Sequence, residues 1–202
     1  MNRIKIILAG ESLVGKTSLI KQYIQKEFLE DNVITTSADK ITKTIETKNN
    51  TKYILEIWDT AGNKEYKATN KIFMRNSQIA ILVYDITKKE SFDELENSYN
   101  QILNVNKNNN IVFAVAGNKT DLYEEQIIFP EEGIQFANKI NAIFKETSAK
   151  DYESVNELFE DVIEKYDLMM IENKNKINGD DEENKSVSLS QTIENQKNNS
   201  CC

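Results

Sequence analysis

The sequence predicts an α/β fold: a doubly wound, mostly parallel six-stranded sheet with one antiparallel edge strand and helices on both faces. Three observations carry this expectation. Short apolar runs alternate with segments of helical period. A glycine-bearing turn separates the first apolar run from the first helical segment. The patterning then stops at about residue 171, which places one folded domain at 1–170 and a tail at 171–202.

The elements follow in order. Ile4-Lys5-Ile6-Ile7-Leu8 reads as a buried first strand, followed by a helix from about Lys16 to Lys26. Ile41–Thr47 and Tyr53–Trp58 read as two strands joined by the polar turn Lys48-Asn49-Asn50-Thr51, and hence as a hairpin. Further strands are expected at Ile79–Tyr84, Ile111–Ala116 and Ile143–Glu146. Helices are expected at Ser91–Val105, Pro130–Ile140 and Ser154–Met170, the second with proline in its first turn. Residues 173–200 are asparagine, lysine, acid and serine with single apolar residues between them, too little apolar surface to fold, and read as a disordered tail. No internal repeat is visible.

Composition removes several functions. The net charge is −8 and the pI about 4.8, which argues against a broad nucleic-acid face. Histidine is absent, so histidine bases, triads and zinc sites are excluded. The two cysteines, Cys201 and Cys202, make no disulfide framework. The amino-terminal apolar run is too short for a signal peptide, and no stretch is long enough to span a bilayer, so a cytosolic chain is expected.

Gly10-Glu11-Ser12-Leu13-Val14-Gly15-Lys16-Thr17 fits GxxxxGK[ST] between a strand and a helix. Glycines let the backbone curl so that successive N–H groups, those of Ser12, Val14 and Gly15 through Ser18 among them, face phosphate oxygens. The following helix adds the positive end of its dipole. Lys16 reaches the β- and γ-phosphates, and the Thr17 hydroxyl is a hard ligand for Mg²⁺. Asp59 ends a strand expected to run beside the first, which puts a carboxylate near that metal. A kinase, an ATPase and a GTPase all remain open at this point.

The base decides between them. Guanine presents N1–H and an exocyclic amine, two donors that one fixed carboxylate accepts together, and adenine does not. In Asn118-Lys119-Thr120-Asp121, Asp121 suits that role, Asn118 can bind the purine edge and tie loops together, and the Lys119 stem can cover the ring. Glu146-Thr147-Ser148-Ala149-Lys150 stands at the end of a later strand and strengthens that signal.

With GESLVGKTSL, WDTAG at Trp58–Gly62, VYDIT at Val83–Thr87, GNKTDL at Gly117–Leu122 and ETSAK, the chain resembles the Rab branch of the Ras-like small GTPases from about Arg3 to Met170. The resemblance implies a GTP- and GDP-binding, Mg²⁺-dependent switch. In it, Phe28 lies edge-on to the base, Ser148 and Ala149 contact guanine from the backbone, and Lys150 follows them. Thr35 completes the metal shell with GTP bound, Asp59 holds the metal through water, and the Gly62 N–H senses the γ-phosphate. It also implies an exchange factor, a GTPase-activating protein that supplies an arginine, effectors, and proteins that deliver and extract a prenylated chain.

Three departures from that pattern stand out, at five positions. Asn63 stands where the family has the glutamine that orients the attacking water. It is shorter by one methylene, about 1.5 Å, and a misplacement of that size costs on the order of 100-fold in rate, so slow hydrolysis is expected. Ser37 and Lys40 replace a usual glycine and a usual aromatic, the latter one of a partner-binding triad with Trp58 and Phe73, and imply a different partner set. Ser12 and Leu13 replace loop glycines that the Rab branch often lacks, and carry little. A GTP-loaded membrane tether that barely hydrolyses is the competing reading, and a small phosphate-loop kinase a weaker one.

The tail holds six acids against four bases, so no polybasic patch assists a lipid anchor. One lipid chain binds marginally and two bind stably. The double cysteine is not a C-a-a-X end, and its double prenylation at Cys201 and Cys202 is implied by the resemblance.

Overall fold

The computed structural model describes residues 2–28, 35, 39–60, 72–106 and 110–198, with side chains as far as Asn175. Strands β1 (Asn2–Ala9), β2 (Asp39–Glu46), β3 (Lys52–Asp59), β4 (Ile79–Asp85), β5 (Val112–Asn118) and β6 (Ile143–Thr147) form one sheet in the order β2-β3-β1-β4-β5-β6. Every neighbouring pair is parallel except β2 with β3. The doubly wound sheet with one antiparallel edge strand is therefore the architecture found.

Burial explains the strand sequences. β4 and β5 are buried at every position, as expected of parallel strands covered on both faces. Ile4, Ile6, Ile79 and Ile81 are fully buried, and each such side chain contributes roughly 1.5–3 kcal/mol. Edge strand β2 instead alternates, exposing Lys40, Thr42, Thr44 and Glu46, and charge on an open edge discourages further strand pairing. The β2–β3 turn closes through Asn50, which has φ 58° and donates its N–H to the Thr47 carbonyl at 2.9 Å.

The helices are α1 (Lys16–Gln25), α2 (Lys89–Asp93), α3 (Leu95–Val105), α4 (Pro130–Lys139) and α5 (Tyr152–Asn198), with a 3-10 turn at Thr120–Glu125. Two of them differ from the sequence expectation. The segment expected as one helix from Ser91 begins at Lys89 and is divided at Glu94. Ser91 is buried and turns inward, accepting from the Asp85 N–H at 3.0 Å and donating to the Lys88 carbonyl at 2.7 Å. α5 begins before Ser154 because Asp151 caps it, its two carboxylate oxygens each accepting at 3.2 Å from the N–H groups of Glu153 and Ser154.

The chain divides into two units, residues 1–166 and 167–202. The first holds the sheet, helices α1–α4 and α5 as far as Tyr166. In the second, α5 continues to Asn198, so residues 171–198 are helical where the sequence reading expects disorder. No helix among the described residues is long and apolar enough to cross a membrane.

Candidate functional site

The parallel strands all place their carboxyl ends on one side of the sheet, and there the sequence changes from apolar to polar. β1 leads into Gly10, β3 ends at Asp59, β4 at Asp85, β5 at Asn118 and β6 at Thr147. A doubly wound sheet binds ligands in that crevice.

The loop from Gly10 to Gly15 is held open by backbone that other residues do not adopt. Gly10 has φ +146° and Gly15 φ +98°. A Cβ at Gly10 would lie 2.1 Å from the Val83 carbonyl oxygen, and one at Gly15 would lie 2.3 Å from Asn118 Nδ2. Lys16 opens α1 and is 5 % exposed, its ammonium donating to the carbonyls of Gly10 at 3.0 Å and Glu11 at 2.7 Å. Burial pushes it down to about 8, against the opposing pull of Asp59 and Glu11. A phosphate group there would add counter-charge to this buried ammonium.

Beside Lys16, three oxygens meet. Thr17 Oγ1 donates to Asp59 Oδ2 at 2.5 Å and lies 2.8 Å from Thr35 Oγ1. Each hydroxyl has one proton, so Thr35 is the donor in the second bond. Asp59 is 4 % exposed, and its Oδ1 is a buried atom without a hydrogen-bond partner among the described residues. Burial holds the Asp59 carboxyl above its ordinary range, although Thr17 and Lys16 pull it down. A buried carboxylate with an unused oxygen next to two hydroxyls is a donor set that fits a hard divalent cation such as Mg²⁺.

The second half of the site is knitted to the first through Asn118, which is 1 % exposed. Its Nδ2 donates to the Val14 carbonyl at 2.8 Å, and its Oδ1 accepts from Thr147 Oγ1 at 3.2 Å. Lys119 takes φ 70° and its ammonium lies 2.7 Å from Asp85, a fully buried carboxylate. Burial works against the charge on Asp85, but hydrogen bonds from Lys119 and Thr87 outweigh it, and the carboxyl lies below its ordinary range.

Asp121 accepts from Ser148 Oγ at 2.7 Å and faces Lys150 Nζ at 2.8 Å. Those bonds overcome partial burial and hold its carboxyl below the ordinary range. Lys150 Nζ also stands 5.6 Å from the Phe28 ring centre, and Ala149 is buried beside them. The Ser148 N–H is given to Ser154 Oγ at 3.2 Å.

Of the sequence candidates, Gly10 through Ser18, Thr35 and Asp59 gather at the phosphate loop. Phe28, Asn118, Lys119, Asp121 and Ser148–Lys150 gather at the second pocket. Gly62, Asn63, Ser37, Cys201 and Cys202 lie outside the described residues. The structure adds supporting roles for Asp85, Thr147 and Ser154. Asp85 and Thr147 fall within the VYDIT and ETSAK motifs, and Ser154 carries no signal in the sequence.

Lys40 sits on β2 with its ammonium 5.9 Å from the Trp58 ring centre and 3.9 Å from Glu56, while Phe73 packs on Trp58 at 5.2 Å. A charge therefore borders the aromatic pair.

A doubly wound sheet with a lysine-bearing loop after its first strand, and a braced carboxylate after its fifth, defines the phosphate-loop nucleotide-binding class. The comparisons narrow it. Residues 5–168 match the Ras family. Ras-related protein RabQ of Dictyostelium discoideum is 39 % identical over 162 residues, covering 80 % of this chain and 78 % of the relative. Ras-related protein Rab-22A of Homo sapiens is 38 % identical over 159 residues, covering 79 % and 81 %. GTP-binding protein ypt5 of Schizosaccharomyces pombe (strain 972 / ATCC 24843) is 39 % identical over 165 residues, covering 81 % and 78 %. The chain belongs to the Ras family of small GTPases, in its Rab branch.

Proposed function

We propose that the chain is a Rab-type GTP/GDP switch that regulates vesicle traffic on the cytosolic face of endomembranes and hydrolyses GTP slowly. The observation that carries this reading is the meeting of the Thr17, Thr35 and Asp59 oxygens beside Lys16. Thr35 belongs to the segment before β2 and Asp59 ends β3, so a γ-phosphate with its metal at this point orders both, and its loss releases them.

The roles follow from the chemistry. Gly10, Ser12, Val14, Gly15 and Ser18 offer backbone to the phosphates, and Lys16 places its ammonium on the β- and γ-oxygens. Thr17 and Thr35 would ligate Mg²⁺, and Asp59 would hold it through water. Mg²⁺ supplies neutralisation of the phosphate charge. Asp121 reads guanine, Asn118 spans the two halves, and Phe28, Ser148, Ala149, Lys119 and Lys150 enclose the base. Gly62 senses the γ-phosphate, and an activating protein brings the arginine that this chain does not supply.

Asn63 sets the rate. Asn63→Gln is expected to raise single-turnover hydrolysis of bound GTP modestly alone. The gain should approach about 100-fold with an activating protein that uses the glutamine, at unchanged GTP affinity. No change in either condition removes Asn63 from the water-positioning role. Hydrolysis by the natural chain that is negligible even with such a protein favours the alternative, a GTP-loaded tether that recruits partners.

Cys201 and Cys202 are the proposed prenyl acceptors. Exchanging both for serine is expected to leave nucleotide binding intact and move the protein from sedimenting membranes to the supernatant. Continued sedimentation of that variant overturns the anchor.

A further inference from the structure

Between β5 and α4 the surface carries apolar side chains that the nucleotide site does not use. Tyr123 is 69 % exposed, Ile127 56 %, Phe129 57 % and Ile134 43 %. Half of the large hydrophobic side chains exposed by more than a third among the described residues thus fall within twelve positions. Single exposed apolar residues are ordinary, but a concentration of them marks an interaction surface.

The segment is held rigidly. The Ile127 and Ile128 N–H groups both donate to the Ile86 carbonyl, at 2.9 and 3.0 Å, and Gln126 Nε2 donates to the Ile128 carbonyl at 2.9 Å. Ile128 turns inward at 1 % exposure, while Ile127 and Phe129 on either side of it are exposed. A surface fixed this way loses little entropy on docking.

Charge selects the occupant. Residues 120–135 contain Asp121, Glu124, Glu125, Glu131 and Glu132 and no lysine or arginine. Asp121 is engaged by Lys150 and Glu132 by Lys89, while Glu124, Glu125 and Glu131 stand exposed around the apolar residues. An anionic membrane is repelled by that rim. A second copy docked through the same patch would set the same acids against each other. The tail of this chain is itself net acidic.

We propose that Tyr123, Ile127, Phe129 and Ile134, with Glu124, Glu125 and Glu131, form a docking surface for a basic, amphipathic segment of a protein partner. Leucine-type side chains would pack on Ile127 and Phe129, and lysine or arginine would pair with the rim. None of these residues lies in the phosphate loop or at Thr35 or Asp59, so the inference stands independently of the switch reading.

The test uses the full chain and a synthetic helical peptide of leucine and lysine, with a leucine–glutamate counterpart and phosphatidylserine-rich vesicles as the other arms. Binding is read by peptide anisotropy and by amide chemical-shift mapping. Two double variants are compared, Ile127→Ser with Phe129→Ser and Glu124→Lys with Glu125→Lys. Serine at 129 is a favourable helix N-cap, so α4 is retained, and a thermal melt checks this. The lysine peptide is expected to shift amides within 123–134, and each double variant to weaken it at least about tenfold. Shifts centred elsewhere, unchanged affinity in both variants, equal binding of the glutamate peptide, or vesicle binding that depends on Ile127 and Phe129 overturns the proposal.

Discussion

Asp121→Asn is expected to exchange the preferred base from guanine to xanthine, with a loss of GTP affinity on the order of 10⁴. The carboxylate is already committed before any nucleotide arrives. Ser148 Oγ donates to one of its oxygens and Lys150 Nζ approaches the other, and both hold it ionised, its carboxyl lying below the ordinary range. Each oxygen retains a further lone pair, and in the proposed pocket these would accept the two guanine donors. An amide at 121 keeps one acceptor and turns the other position into a donor, which meets the acceptor of xanthine. It also removes the charge that pairs with the Lys150 ammonium, so the variant should bind even its preferred base less tightly than the natural chain binds GTP. Competition titrations with GTP, XTP and ATP check this. Undiminished GTP preference in the variant takes Asp121 out of the base-reading role, and equal competition by ATP in the natural chain overturns the guanine pocket itself.

How far the sequence exposes this site depends on whether a residue acts through its neighbours in the chain or through space. β4 and β5 are legible because helices on both faces demand uninterrupted apolar runs, and the phosphate loop because glycine spacing reports backbone that only glycine adopts. The start of α2 at Lys89 is not legible, since Ser91 within it turns inward to serve the end of β4. The grip of Asp85 on Lys119 joins two strand ends 34 positions apart, and neither residue alone announces the other. That contact fixes the Lys119 ammonium on a buried carboxylate and so holds its stem in place. The helical continuation of α5 to Asn198 is not legible either, since residues 171–198 carry no apolar periodicity and are rich in asparagine, aspartate and serine.

Gly15→Ala is expected to damage both halves of the nucleotide site at once. The residue has φ +98°, a conformation that a side chain disfavours by about 1 kcal/mol or more. The larger effect is steric, because the new methyl would sit 2.3 Å from Asn118 Nδ2. Asn118 is buried, and its amide spans from the Val14 carbonyl to the Thr147 hydroxyl, so it has no open direction in which to retreat. Displacing it leaves two buried polar groups short of a partner, at roughly 1–3 kcal/mol each. It also frees the phosphate loop from the base pocket. Nucleotide affinity should therefore fall by a factor on the order of 10² or more, with a lower melting temperature in the nucleotide-free chain. A double-mutant cycle isolates the cause. Asn118→Ala alone should also be costly, but it removes the atom that the new methyl strikes, so Gly15→Ala should cost less in that background. The coupling is expected within about 0.5–3 kcal/mol, the range for residues in contact, leaving the backbone strain as the residual cost. Additive losses would mean that the strain at Gly15 acts alone and that the contact with Asn118 does not join the two halves of the site.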